Sequence, residues 1–314
     1  MNVQKAPLQN ADYCPPPPEG DFYRITDVLD ESERIVLKRV RDFMDREVAP
    51  IIEDYWVRDQ FPFDLVPKIA ALGIGGAKAP AGCFNGEKKW IGNATFADIN
   101  TIWAREESSG QVKGFVVAKD NPGFAVKKIE HKMALRVVQN GLITLKDWRV
   151  LESDRLQNAN SSRDTAKVLR MTRAGVAWFA VGCGRGAYQH ALRYATQRLQ
   201  FGRPIAGFQL VQDLLVRMLG NVTATQCLML RLGQLQTQGF MTDEHASLAK
   251  AFCTVKCRET VGYARELLGG NGILLDNHVG RFVADAEAIS SYEGTREMNT
   301  LIVGKAITGL SAFV

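Results

Sequence analysis

The stretch Arg198-Leu199-Gln200-Phe201-Gly202 decides the fold, because it ends one long helix and precedes another. Upstream, residues 164–199 read as a single helix that stops at Gly202. Downstream, a second helix spans 208–238 and stops at Gly239. Thr242 caps a third, which ends at Gly269-Gly270. A short helix near 278–288 and a last one after Thr295 complete the set. Long helices with short joints favour an antiparallel bundle. Gly175, Gly182, Gly184 and Gly186 cluster in the first long helix. Each costs about 1 kcal/mol relative to Ala, so close approach of another helix or of a flat ligand is expected there. Residues 181–186 look superficially like a dinucleotide loop. They are not GxGxxG after a strand, which excludes a Rossmann reading.

Toward the N-terminus the pattern changes. Between 81 and 151, short runs rich in β-branched and aromatic residues alternate with turn signals. The runs are 90–91, 99–104, 114–118, 126–129 and 141–145. The turns are Asn85-Gly86, Ser108-Ser109-Gly110 and Asn121-Pro122-Gly123. This predicts a small antiparallel β-domain. Before it, Asp30 and Glu33 fit a capping box. Val36, Val40, Phe43, Met44 and Val48 follow at helical spacing, and Pro50 interrupts the helix. Residues 63–72 form a further helical stretch ending at Gly73. Pro15-Pro16-Pro17-Pro18 excludes helix at the start. The expected class is α+β, mainly α. Its parts are a flexible arm (1–26), a short N-terminal helical domain (27–80), a β-domain (81–151) and a helical bundle (152–314). No repeat of 20–50 residues is apparent.

Composition narrows the function. The 314 residues are 46% hydrophobic and 23% charged, ordinary for a globular protein with a substantial core. The net charge of +5 is spread along the chain, and the densest run, 34–46, alternates in sign. Nucleic acid is therefore not an expected partner. Six cysteines without a CxxC pair and four scattered histidines argue against zinc. Cys253 and Cys257 read as core residues on one helix face. The longest apolar run, 174–184, is too short to cross a bilayer. There is no apolar leader and no peroxisomal tripeptide at Ser311-Ala312-Phe313-Val314. A cytoplasmic protein is the default expectation, mitochondrial or peroxisomal if the source is a eukaryote.

One candidate for chemistry is Ser291-Tyr292-Glu293-Gly294-Thr295, where a carboxylate stands between an aromatic ring and a glycine. Glu293 suits a general base; it also suits a helix start, where the dipole favours negative charge. Each of its companions has an equally ordinary reading. Arg198 suits a helix C-terminus, Phe201 and Trp90 suit a core, Gly269-Gly270 suits a helix stop, and Gln209 suits the surface. Taken together and in this order, with Phe208-Gln209 and Glu266-Leu267-Leu268-Gly269-Gly270-Asn271-Gly272, the segments resemble the acyl-CoA dehydrogenase family. The likeness is to its glutaryl-CoA dehydrogenase and short-chain acyl-CoA oxidase branch, and it covers nearly everything after the first twenty residues.

The resemblance implies an FAD-dependent enzyme acting on a short-chain acyl-CoA or glutaryl-CoA. Glu293 removes the α-proton, and the flavin N5 accepts the β-hydride. Thioester hydrogen bonds stabilise the enolate, and desolvation lifts the base toward neutrality. Arg198, Phe201 and Gln209 match the motif that grips FAD, partly across a subunit interface. Trp90, Ile91 and Gly92 match the strand beside the flavin, with Gly92 where many relatives carry Thr. Glu266, Gly269 and Gly270 match the adenine end, and Thr295 and Glu297 match cofactor contacts beside the base. Arg173 matches an arginine near the active site; with Tyr292 and Gly294 it is expected to meet substrate. The family also implies a homodimer or homotetramer, and electron-transfer flavoprotein or O₂ as electron acceptor. In one respect the chain departs from the family. Residues 74–83 join segments that relatives separate by several dozen residues, including a T-E-P-x-x-G-S-D loop around the flavin. A shortened, non-catalytic homologue serving assembly, or an acyl-CoA oxidase, are the alternative readings.

Overall fold

The computed structural model describes residues 21–70, 82–105, 109–151 and 154–313. The polyproline run and the junction at 71–81 lie outside the described residues. At the end of the expected arm, residues 21–24 form a turn that leads into a 3₁₀ helix, Ile25–Val28. The Asp21 carboxylate accepts from the backbone N–H of Ile25 (2.6 Å) and from the Thr26 hydroxyl (2.6 Å).

Helix α1 (Glu31–Phe43) starts on the expected capping box, with Asp30 and Glu33 each accepting from the other's backbone N–H. A π-helical turn at Met44–Val48 leads to the break before Pro50. Helices α2 (Ile52–Val57) and α3 (Val66–Ala70) follow. α2 docks through its buried Trp56, and the segment after it docks as well, with Leu65 buried and Phe61 and Phe63 against Phe96.

The middle region is antiparallel throughout. Strands β1 (Gly82–Ile91), β4 (Phe124–Lys128) and β5 (Gly141–Val150) form a sheet in the order β1-β5-β4. β2 (Ile99–Arg105) and β3 (Val112–Ala118) form a hairpin. Ile102, Phe115 and Val117 from the hairpin meet Ile143, Leu145 and Trp148 of β5 in one buried cluster. Alternation of inward and outward residues supplies that face. Asn85-Gly86 is not the expected turn. It is a bulge inside β1, where the register slips between Phe84 and Gly86 and Gly86 takes φ 146°. The Asn85 side chain accepts from the Asp147 N–H (2.7 Å), fastening the bulge to β5.

The bundle has the expected helices to within three residues at each end: α4 (Ser162–Gln197), α5 (Gln209–Thr237), α6 (Asp243–Leu267), α7 (Val279–Ser291) and α8 (Arg296–Thr308). A two-residue ladder, β6 (Leu199–Gln200) with β7 (Arg203–Pro204), turns the chain between α4 and α5. α4 and α6 run parallel, since Arg170 pairs with Asp243 (2.6 Å) and Asn271 donates to the Tyr194 hydroxyl (2.8 Å). Small side chains allow this approach. Ala177, Ala187, Ala191 and Ala195 of α4 and Ala246, Ala249, Cys253 and Ala264 of α6 are buried in one core. α7 runs antiparallel to α4. A Cβ on Gly186 would lie 2.8 Å from the Phe282 ring, so this glycine admits the neighbouring helix as expected. Gly175 and Gly182 have open space above them instead.

Asp285 of α7 joins the three regions. Its carboxylate accepts from the Trp56 indole N–H (3.1 Å) and from the Leu135 backbone N–H (2.6 Å). Around it, Arg136 donates to the carbonyls of Trp56 and Val57 (3.0 Å each), and Glu53 pairs with Arg281 (3.1 Å).

Candidate active site

Glu293 lies in the four-residue turn, residues 292–295, between α7 and α8. Its φ is 55°, followed by 84° at Gly294. A non-glycine residue in this region costs about 1–2 kcal/mol, so the surroundings must hold it there. The carboxylate does not serve a helix start. Thr295 is the N-cap of α8, its hydroxyl accepting from the Met298 N–H (3.5 Å), and Glu297 is the acid of the first turn. The Glu293 side chain instead crosses to α4 and accepts from the Thr172 hydroxyl at 2.6 Å.

Four further groups surround this turn. Arg173, next to Thr172, keeps its Nε buried without a hydrogen-bond partner among the described residues. Tyr292 is half-buried; burial, then the charge of Glu293, pushes its phenol up to about 12. Lys250 of α6 is fully buried and donates to the carbonyls of Ser290 (2.8 Å) and Gly294 (2.5 Å). Asn299 of α8, also fully buried, donates to the carbonyls of Gly294 and Thr295 (2.9 Å each). Burial lowers the Lys250 ammonium to about 8, Glu293 and Glu297 pull it upward, and Arg173 pushes it down. Glu297 is held down at about 2, chiefly by its hydrogen bond from Arg296.

Thr172, Lys250 and Asn299 were not legible as site residues in the sequence. The contacts made by Thr172 and Lys250 close over 121 and 40–44 positions. For Lys250 one signal existed. A lone cation sits at helical spacing among Ala246, Cys253 and Cys257, on the stripe that otherwise packs the core.

The other predicted residues form two separate groups. Arg198, Phe201 and Gln209 cluster at the far end of α4. There Phe201, 92% exposed with φ 50°, edges onto the Phe208 ring, and Arg203 lies 4.3 Å over that ring. Glu266, Gly269 and Gly270 belong to the same end, tied in by the Asn271–Tyr194 bond. Thr172 and Arg198 are 26 residues apart (198 minus 172) along α4, about 39 Å of helix rise. Trp90 and Ile91 form the end of β1, and Gly92 begins the turn after it. Trp90 is exposed with φ 68°, and the Asn140 amide donates to its carbonyl (3.3 Å). A Cβ on Gly92 would meet only Val138, at 3.8 Å, so its lack of a side chain is not forced by crowding.

The donors suit a dinucleotide. Exposed Arg198 matches a pyrophosphate oxyanion. Nothing lies within 4 Å of a Cβ built on Gly269 or Gly270, which leaves the backbone accessible. The unpartnered Nε of Arg173 is a separate buried donor, next in sequence to the Thr172 that holds Glu293.

Three family models match the chain in succession: the acyl-CoA dehydrogenase N-terminal domain over residues 30–93, the middle domain over 77–148 and the C-terminal domain over 163–308. Glutaryl-CoA dehydrogenase from Mycobacterium smegmatis superposes with a TM-score of 0.86 at 27% identity, covering 94% of this chain and 100% of that one. The 3-(aryl)acrylate reductase of Clostridium sporogenes (strain ATCC 15579) is 33% identical over 223 residues, 70% of this chain. The caffeyl-CoA reductase-Etf complex subunit CarC of Acetobacterium woodii is 30% identical over the same share. The chain spans 59% of the length of each of these two relatives. Fold and domain order thus define a protein of acyl-CoA dehydrogenase architecture. The chain belongs to the acyl-CoA dehydrogenase family, whose members act on CH–CH bonds with FAD as cofactor. Among the described residues no helix is long and apolar enough to cross a membrane.

Proposed function

We propose that the chain interconverts a short-chain acyl-CoA, or glutaryl-CoA, and the corresponding enoyl-CoA, with Glu293 as the base at the α-carbon. The observation that carries this reading is the Glu293 turn, which sends its carboxylate to Thr172 beside a buried, unpartnered Arg173 guanidinium nitrogen. When bound, FAD supplies the hydride acceptor at the β-carbon. Arg198, Phe201, Gln209, Glu266, Gly269 and Gly270 would hold its phosphate and adenine portions, and Trp90, Ile91, Gly92, Thr295 and Glu297 its flavin end. Tyr292, Gly294 and Arg173 would meet the thioester. Glu293 takes the α-proton onto Oε1 or Oε2, and the Thr172 hydroxyl orients the carboxylate meanwhile.

The separation of about 39 Å along α4 supports assembly. One chain's Arg198 group and its own Glu293 are too far apart to serve one cofactor, so two copies would complete two sites, as a dimer or tetramer. A cytoplasmic, homo-oligomeric enzyme passing electrons to an electron-transfer flavoprotein fits the kinship with CarC; O₂ is the alternative acceptor. Either direction fits the family, because two of the relatives are reductases by name.

The second reading is a shortened homologue that serves assembly without catalysis. Apolar faces left uncovered favour it: Val168, Met171, Trp178 and Phe179 on α4, and Ile35, Val36 and Val40 on α1, are all exposed. The absorption spectrum of the purified protein, followed by anaerobic addition of butyryl-CoA or glutaryl-CoA, separates the readings. Bound flavin that bleaches supports the enzyme. A colourless protein that stays colourless after incubation with FAD would discard it.

A further inference from the structure

The Glu293 turn carries two adverse features, a non-glycine residue at φ 55° and carbonyls without helical partners, in the last turn of α7 and in the loop before α8. Lys250 answers both. Its ammonium reaches two of these carbonyls at once, Ser290 in the last turn of α7 and Gly294 just before the cap of α8. It thereby spans residues 290–294, with Glu293 inside the span. Asn299 places a second donor on the Gly294 carbonyl, so both lone pairs of that oxygen are engaged. A buried cation needs such partners, because its desolvation is otherwise uncompensated. The charged groups facing it are Glu293 and Glu297, which attract it, and Arg173, which repels it. Its tether is rigid. Lys250 stands on α6 between Ala246, Ala249, Cys253 and Thr254, all buried.

We propose that Lys250 is the positioning residue for Glu293, a strut from the α6 core that fixes the 290–294 turn and with it the direction of the carboxylate. The proposal deepens the functional reading above and rests on it only for its kinetic arm.

Lys250→Met keeps the length of the side chain and removes all three donors. The first readout is hydrogen exchange of the apoprotein by mass spectrometry. The expected result is exchange at residues 291–295 faster by roughly tenfold or more, with α6 and the far end of α4 at parent rates. The second readout is anaerobic flavin bleaching by butyryl-CoA or glutaryl-CoA. The maximal rate should fall about 10²-fold, the size of effect that displacing a reacting group produces. The acyl-CoA concentration giving half-maximal rate should move less than about threefold, as expected when ground-state binding is untouched. A purely structural lysine would lower the melting temperature without this split. Should the Met variant not fold, Lys250→Gln, which keeps one pair of amide donors, takes its place in both measurements, with a smaller effect in the same direction. Unchanged exchange at 291–295 would overturn the proposal, as would a bleaching rate equal to the parent's in a variant whose turn exchanges faster. If the parent is not bleached by any acyl-CoA, the functional reading fails, and the exchange experiment still decides the role of Lys250.

Discussion

Helices α1 and α6 both begin on a capping box and both carry an apolar stripe, yet their fates differ. α1 has the cleaner segregation of apolar from polar residues, and none of its residues is buried among the described parts of the chain. α6 is studded with Ser, Thr, Cys and Lys, and eleven of its residues are buried against α4, α5, α7 and α8. Periodicity specifies a helix and the face that seeks a partner; the rest of the chain decides whether a partner arrives. The difference reaches function. Lys250 serves its two backbone carbonyls from inside the core because α6 is enclosed, whereas Arg34 of α1 donates to the carbonyls of Leu29 and Asp27 while itself exposed to solvent.

The largest effect expected lies at the enclosed end of the molecule. Glu293→Gln keeps the shape of the side chain and its contact with Thr172 but cannot accept a proton. Anaerobic bleaching should slow by about 10²–10⁴-fold or more, the usual contribution of a positioned base, with flavin content unchanged. Bleaching at the parent rate would remove Glu293 from the chemistry and leave it as a structural carboxylate.

Much of the enclosed region was legible in advance, for physical reasons. α4, α5 and α6 announce themselves by length and by the glycines and caps at their ends, which act within one turn. Thr295 was readable as the last helix's start, and it caps through its own hydroxyl. Glu293 stood out by its neighbours, and the turn that holds it is local. The clamp was not legible, because Thr172, Lys250 and Asn299 meet the turn from three different helices and no local pattern joins them. Asn85-Gly86 misled because the dipeptide favours a positive φ in a turn and in a bulge alike, and only the partner strand decides between them. The capping box of Thr242 uses His245 where Glu or Gln is usual, so the hydroxyl rather than the box was the visible signal.

The N-terminal region is not uniformly detached, and the next test separates its halves. α2 docks through Trp56, whose indole N–H and the Leu135 backbone N–H share the Asp285 carboxylate. Asp285→Ala leaves both donors without that acceptor in a largely buried place. The expected loss is about 2–4 kcal/mol in urea unfolding. A loss below about 1 kcal/mol would mean that packing and the remaining polar contacts, Arg136 to the Trp56 and Val57 carbonyls and Glu53 to Arg281, suffice to hold the junction.

The same junction should confer acid sensitivity. His190 on α4 lies 4.6 Å from the His278 ring, and His278 pairs with Glu53 of α2 (2.7 Å). Burial, reinforced by the charges of His278, Arg193 and Arg281, lowers His190 to about 4 from 6.5. Between these values the unfolded chain binds a proton that the folded chain refuses. Stability therefore falls as pH drops from 6.5 to 4 and is unaffected by this group above that window. Partial exposure reduces the contribution to about 1–2 kcal/mol. His190→Asn should flatten that part of the stability profile, measured by denaturant midpoints at pH 4.5 and 7; an unaltered slope would assign the acid sensitivity to other groups.

The smallest effect is expected where the contrast began. Ile35 and Val40 lie on the apolar stripe of α1 and are exposed. If nothing covers the stripe, replacing either with Ser removes no buried area, and stability should change by less than about 0.5 kcal/mol. Local support should matter more. A 13-residue helix is marginal by itself, and α1 relies on the Asp30 cap and the Lys38–Asp42 pair (2.6 Å). Asp30→Ala should therefore lower the helicity of α1 more than either core-like substitution, by about 1 kcal/mol on the helix, measured by hydrogen exchange of residues 31–43. The two Ser variants should also remain soluble at higher concentration, because an exposed apolar stripe promotes association. The opposite ranking, with Ile35→Ser costing over 1 kcal/mol in a concentration-dependent way, would mean that a second copy covers α1 in solution, and α1 would then be an interface helix enclosed by assembly as α6 is enclosed by its own chain.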